Sequence, residues 1–341
     1  MNLRRYLLKR ILASIVTLIG ISILIFGIAR IIPGDPARIA LGPTASQEQV
    51  AELRQRLGLD QPLPTQYASY IAGVARGDLG LSLYTNRSVV QDLRESFPAT
   101  LELVLASSIL MTCLGIPLGV IAARGRDRAV DHVTRLLSLL GVVTPSFVWA
   151  IFLMLAFSYY LDWLPVAGRL SETMAPPPAI TGLYLVDSLL HGRWDTFKDA
   201  LSHIALPAIA LSLAGIGQAA RLTRANVSEA YNSPFIEMAR AYGFAEARIA
   251  MKYALRPALI PTLTILGLDI AVKLGNAFLV ETVFGWPGMA RYGVQTILHK
   301  DLNGIVGTVL VIAAFFLIIN AVVDLIVLIL DPRIRLGAQA R

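Results

Sequence analysis

Cysteine occurs once in the 341 residues, at Cys113, so no disulfide can form within the chain. Charge is scarce too: Asp, Glu, Lys and Arg supply 16% of residues, where a soluble domain carries about a quarter. No glycine is followed by lysine, which excludes the Gly-x4-Gly-Lys-Ser/Thr loop that cradles nucleotide phosphates. The four histidines, His132, His191, His203 and His299, are scattered and form no His-Glu-x2-His pattern. With a single cysteine beside them they offer no metal-ligand cluster. No serine stands in a Gly-x-Ser-x-Gly elbow. The chain therefore reads as non-catalytic, with no metal site and no cofactor of its own.

Apolar residues make up 55% of the sequence and run in blocks. Six blocks, 11–31, 101–123, 136–160, 204–220, 260–283 and 305–330, come close to the roughly 20 residues that cross a bilayer as a helix. They are continuous rather than alternating, which selects helices over barrel strands. The expected fold is an all-α integral membrane protein with six transmembrane helices. The first block follows Arg4, Arg5, Lys9 and Arg10. Its apolar core is too long for a signal peptide and no small-x-small site precedes Arg30, so an uncleaved signal anchor is expected.

Basic residues then orient the spans. With the N-terminus inside, the cytoplasmic pieces 1–10, 124–135, 221–258 and 331–341 hold 17 Lys and Arg in 71 residues. The outer pieces 32–99, 161–203 and 284–302 hold 11 in 130. This excess places both termini in the cytoplasm. The net charge of +7 is thus a signature of topology, with the lipid bilayer and not nucleic acid as its counterpart.

The outer segment 32–99 reads as a helical insertion between the first two spans. Ile-Pro-Gly-Asp-Pro at 32–36 turns the chain, and amphipathic helices are expected at 47–57 (with Val50, Leu53 and Leu57 on one side) and 61–75. Gly115, Pro117 and Gly119 permit close packing or a bend in the second span. Thr144-Pro145-Ser146 predicts a kink in the third. Pro176-Pro177-Pro178 excludes helix, while 184–190 and 195–203 read as short surface helices. A turn at 281–289 leads to a segment, 290–300, lying along the interface, and Asp-Pro-Arg-Ile-Arg at 331–335 ends the last span. The chain divides by this reading into 1–94, a core of 95–331 and a tail of 332–341.

Two polar features remain. In the stretch 225–261, Ser233 and Pro234 start a helix, Phe235, Met238, Ala239 and Tyr242 recur at helical spacing, and Gly243 stops it. A second run, 245–255, aligns Arg248, Lys252 and Arg256 down one side. A helix of about nine residues is too short to be stable alone in water, so something must pack against it. It lies either on the lipid surface, through Arg240 and Arg248, or in a groove of a soluble partner. The partner reading makes Phe235, Met238 and Tyr242 the anchors and Glu237 and Arg240 the rim. A connection of 38 residues, where about 2–8 suffice, favours the partner. The second feature is Asp269 and Lys273, four apart in the fifth span, with Asn276 following. The pair either lines a path for a zwitterionic solute or neutralises itself within one helix. An ion-coupled secondary transporter using this pair is the alternative function.

Glu237-Met238-Ala239, Gly243 and Leu255 stand in register with the cytoplasmic motif Glu-Ala-Ala-x3-Gly-x9-Ile-x-Leu-Pro of ABC importer permeases, Met238, Tyr253 and Arg256 departing from it. GLDQPLPTQY (58–67), GDLGLS (77–82), PATLEL (98–103), GIPLGVIAA (115–123), ETVFGWPG (281–288) and DPRIR (331–335) are similar, in order, to the peptide/nickel branch of that family. The chain resembles the first of two permeases in such an importer. The resemblance implies a type I ABC importer permease fold in the bacterial inner membrane. It also implies a second homologous permease, two ATPase subunits that bind ATP and magnesium, and an extracytoplasmic solute-binding protein. Ser233, Pro234, Phe235, Glu237, Met238, Ala239, Arg240, Tyr242, Gly243 and Leu255 would then form the ATPase-coupling segment. Asp269, Lys273 and Asn276 would lie in the pathway of a di- or oligopeptide or related solute.

Overall fold

The computed structural model describes residues 3–31, 35–42 and 44–330, and among them the ordered backbone is helical apart from one isolated bridge, Leu81 to Ser88. The first three residues of the 32–36 turn, the stop at 331–335 and the 332–341 tail lie outside the described residues. Among the described residues five helices are long and apolar enough to cross a membrane: Leu8–Arg30, Val89–Arg124, Trp194–Tyr231, Glu246–Val283 and Leu302–Ile326. The third expected span is not one kinked helix. It breaks into Ala129–Val143 and Ser146–Tyr160, bent by 102°. Thr144 is extended (ψ 123), the conformation that the following Pro145 ring imposes, so the helical ladder stops there. Counting the bent pair as one span gives six.

By internal packing the described residues fall into two compact units, one drawn from 3–100 with 287–317 and the other from 101–286 with 318–330. In the first, α1 (Leu3–Ile31) places Ala29 against Ile305 and Val306 of the last helix, α14 (Leu302–Leu330), with Tyr70 at the edge. Asp35 caps α2 (Pro36–Leu41) by accepting from the Ala37 amide, a helix the sequence reading did not include. Helix α3 (Gln47–Arg56) begins with a reciprocal capping box between Ser46 and Gln49 and buries Val50, and α4 (Leu63–Ala75) starts at the Pro62 turn. Buried Asp301 caps α14 through the Gly304 amide and accepts the Ser82 hydroxyl. Short α13 (Met289–Leu298) forms within two residues of the segment expected at 290–300.

The second unit is built on α9 (Trp194–Tyr231), which packs against α6 (Ala129–Val143), α7 (Ser146–Leu153), α8 (Tyr184–Leu190) and α12 (Leu255–Val283). The expected surface helix at 195–203 is the first part of α9, which continues through Pro207 into the span. Gly119 of α5 (Val89–Arg124) lies so close to α9 that a Cβ there would meet the Ala220 carbonyl oxygen at 2.6 Å, confirming the close packing read from the sequence. Segment 161–186 is anchored by a buried ion pair: Arg169 Nη2 donates to Glu102 Oε2 at 2.5 Å, and its guanidinium stacks 3.6 Å from the Tyr184 ring centroid. Glu102 Oε1 accepts the Leu185 amide at 2.7 Å. Burial alone would push the Asp187 carboxyl up. Donation from the amides of Thr181, Gly182 and Ile180 and the Thr181 hydroxyl overcomes it and holds that carboxyl below the usual range.

Candidate functional site

Between α9 and α12 the chain makes the short helix α10 (Pro234–Ala241), then α11 (Glu246–Arg248) and a π-helical turn, Ile249–Ala254, that runs into α12. The long connection therefore mostly continues the two spanning helices. Ser233 holds the N-cap position in extended conformation (φ −85, ψ 141), but its hydroxyl makes no capping hydrogen bond, so Pro234 at the first turn carries the start signal.

The apolar positions of α10 divide between two faces instead of forming the single stripe expected. Ile236 and Ala239 are buried in a cluster with Val227 and Ala230 of α9, Val120 and Ala123 of α5, and Ile249, Ala250, Ala254 and Leu255. Burying an isoleucine of this kind is worth about 1.5–3 kcal/mol, enough to seat a helix too short to stand alone. Phe235, Met238 and Tyr242 face outward and are 44%, 56% and 74% exposed. The sequence reading missed Ile236, although its three-residue spacing from Ala239 was visible. Ala239 and Leu255 belong to the packed base rather than to the outward surface.

Around this helix the polar residues separate by role. Arg240 is tied to Glu246 at 2.8 Å and lies 5.7 Å from the Tyr231 ring centroid, so its charge is matched within the chain and it is not a free rim residue. Glu237 is exposed and has no hydrogen bond or ion pair among the described residues. Gly243 has φ +77, a left-handed conformation that a residue with a Cβ adopts at a cost of about 1–2 kcal/mol. It lets the chain reverse so that Phe244 stacks on Tyr253, with ring centroids 5.6 Å apart. The π-helical turn widens the helix, so Arg248, Lys252 and Arg256 do not keep the regular four-residue alignment expected of them.

The intramembrane pair forms within one helix: Lys273 Nζ lies 2.9 Å from Asp269 Oδ2. The lysine is buried against Met111 of α5, 3.1 Å from its sulfur, and near Gly215 of α9. Asn276, one turn further along the same helix, is exposed. We expect Lys273→Met alone to destabilise the protein by about 3–5 kcal/mol, because it strands a partly buried carboxylate. Lys273→Met with Asp269→Asn should recover most of that loss in a thermal-unfolding assay. A double variant that is stable but transports nothing would instead place the pair in the pathway.

Residues 115–336 match the family described as binding-protein-dependent transport system inner membrane component, and residues 3–104 match its N-terminal part. The chain belongs to this family. It is 40% identical to the probable D,D-dipeptide transport system permease protein DdpB of Escherichia coli (strain K12), over 96% of this chain and 97% of that one. The dipeptide transport system permease protein DppB of Alkalihalophilus pseudofirmus is 37% identical over 97% and 99%. The glutathione transport system permease protein GsiC of Shigella flexneri is 34% identical over 97% and 98%. Among solved structures, an inward-facing MetNI methionine ABC transporter covers 68% of this chain and 93% of its own, with TM-score 0.50 and 16% identity. That likeness establishes the type I ABC importer permease fold. The chain is a multi-pass membrane permease, and membership of this family displaces the ion-coupled secondary transporter.

Proposed function

We propose that this permease imports di- or oligopeptides across the bacterial inner membrane, driven by ATPases that dock on α10. One observation carries the coupling assignment: a short helix is fixed by Ile236 and Ala239 to α5, α9 and α12 while presenting Phe235, Met238 and Tyr242 outward. A rigid seat joined to several spanning helices is what transmits a push, and exposed aromatic and Met side chains are what a partner groove binds. Two ATPases, which hold the ATP and magnesium, would engage this chain and a second homologous permease. An extracytoplasmic binding protein would deliver the solute to the outer segments 32–99 and 161–203. In this arrangement both termini are cytoplasmic, and the chain itself catalyses no reaction. The peptide assignment is supported by dipeptide and glutathione permeases similar along almost the entire chain.

The test is uptake of labelled dipeptides and tripeptides by cells with and without the chain. Uptake is expected to vanish when either the chain or its partner ATPases are deleted and to persist with a protonophore while ATP is maintained. Uptake that survives loss of the ATPases and collapses with the protonophore would reject the proposal.

A further inference from the structure

Beside α10, the turn between α5 and α6 closes a cavity of about 450 Å³ lined by Arg124, Arg126, Arg128, Tyr231, Arg240 and Glu246, among others. Its charges do not cancel. Glu246 is held by Arg240, and Asp127 lies 3.7 Å from Arg126. Arg124 and Arg128 have no ion pair with an acid among the described residues. Arg126 also reaches Ser228 Oγ at 3.4 Å, which keeps its guanidinium over the cavity. The Tyr231 hydroxyl is buried there and has no hydrogen-bond partner among the described residues. Guanidinium groups and a phenolic O–H converging on one hollow form a donor set suited to phosphate oxygens, which accept paired N–H bonds from arginine.

The setting identifies the kind of phosphate. The cavity begins where the apolar helix Val89–Arg124 ends, with Arg124 directly following the 101–123 apolar block, which is where a spanning helix meets headgroups. The residues that flank the turn are apolar and exposed: Ile121 and Val130 are open, as is Val133 one turn further along α6. Ile121 and Val130 flank the turn itself, since a Cβ on Gly125 would sit 3.4 Å from the Ile121 carbonyl oxygen and 3.7 Å from Val130 Cβ. A soluble anion has no use for such apolar flanks, whereas a phospholipid has acyl chains to lay across them. A zwitterionic headgroup would need a free carboxylate for its ammonium, and Glu246 is already paired. We propose that this cavity holds the headgroup phosphate of an anionic phospholipid, with acyl chains over Ile121, Val130 and Val133.

Native mass spectrometry of the full-length chain, released from detergent with equal phosphatidylglycerol and phosphatidylcholine, tests this. The wild-type chain should retain phosphatidylglycerol selectively. Each arginine removed should weaken retention about fivefold, so Arg124→Gln with Arg128→Gln should lose selectivity altogether. Both arginines are exposed, so the variant should fold, and unchanged phosphatidylcholine retention serves as its internal control. Tyr231→Phe should cause a smaller loss. Equal retention of the two lipids by the wild-type chain, or undiminished phosphatidylglycerol on the double variant, would overturn the proposal. Stripping of the lipid by millimolar inorganic phosphate would overturn it too, by making the cavity a site for the free ion.

Discussion

Replacing Phe235, Met238 and Tyr242 together by alanine is expected to abolish ATP-driven uptake while the chain stays in the membrane at its normal level. Truncating a central anchor of an interface costs about 2 kcal/mol or more, and three on one helix leave little for a partner to hold. The same side chains contribute little to this chain's own fold, because they are exposed, and surface changes usually fall within about 0.5 kcal/mol. Uptake, membrane abundance and co-purification of the ATPases should therefore separate, with the first and third lost and the second kept. Ile236→Asp provides the contrast. It drives a charge into the cluster formed by α5, α9 and α12, so abundance itself should fall. Wild-type uptake by the triple variant would remove α10 from the coupling path.

Arg169→Met is expected to lower stability by about 3–5 kcal/mol and open segment 161–186 to protease, because Glu102 is left buried and uncompensated. The guanidinium also stacks on Tyr184 and lies 5.7 Å from the Trp286 ring centroid, contacts that Met replaces only in part. Combining Arg169→Met with Glu102→Gln should restore at least half of the lost stability. The amide removes the stranded charge and still accepts the Leu185 amide hydrogen. Thermal unfolding together with limited proteolysis measures both effects. A single variant as stable and as protected as the wild-type chain would show that the ion pair does not hold this segment.

Much of the architecture was legible because a bilayer imposes one rule on every spanning segment. An apolar run of membrane length must satisfy its backbone internally, and it does so as a helix. The same one-dimensional logic located Pro234 as a start, Gly243 as a stop and Pro145 as a kink. The ends of the helices were less legible. Nothing at 195 or 225 marks where α9 leaves the apolar layer, since a helix continues through polar residues until a breaker stops it. The angle at Pro145 was also beyond the sequence, because a proline shows that the ladder is interrupted but not how far the two halves turn.

The sequence by itself determined that this is a polytopic helical membrane protein, that it carries no phosphate-loop or metal-ligand motif, and that a short helix near residue 234 must pack against something. Those conclusions follow from composition, spacing and missing motifs, which are properties of the chain in one dimension. Only the tertiary structure decided which side of that helix is already taken. Ile236 and Phe235 are adjacent apolar residues, and what distinguishes them is that Val120, Val227 and Ile249 converge on one and not on the other. The same holds for the arginines. Arg240 is neutralised by a glutamate six residues away, whereas Arg124 and Arg128 surround a hollow completed by Tyr231, more than 100 residues further along the chain. Burial and pairing depend on which distant segments meet, and those meetings are set by the packing of α5, α9 and α12.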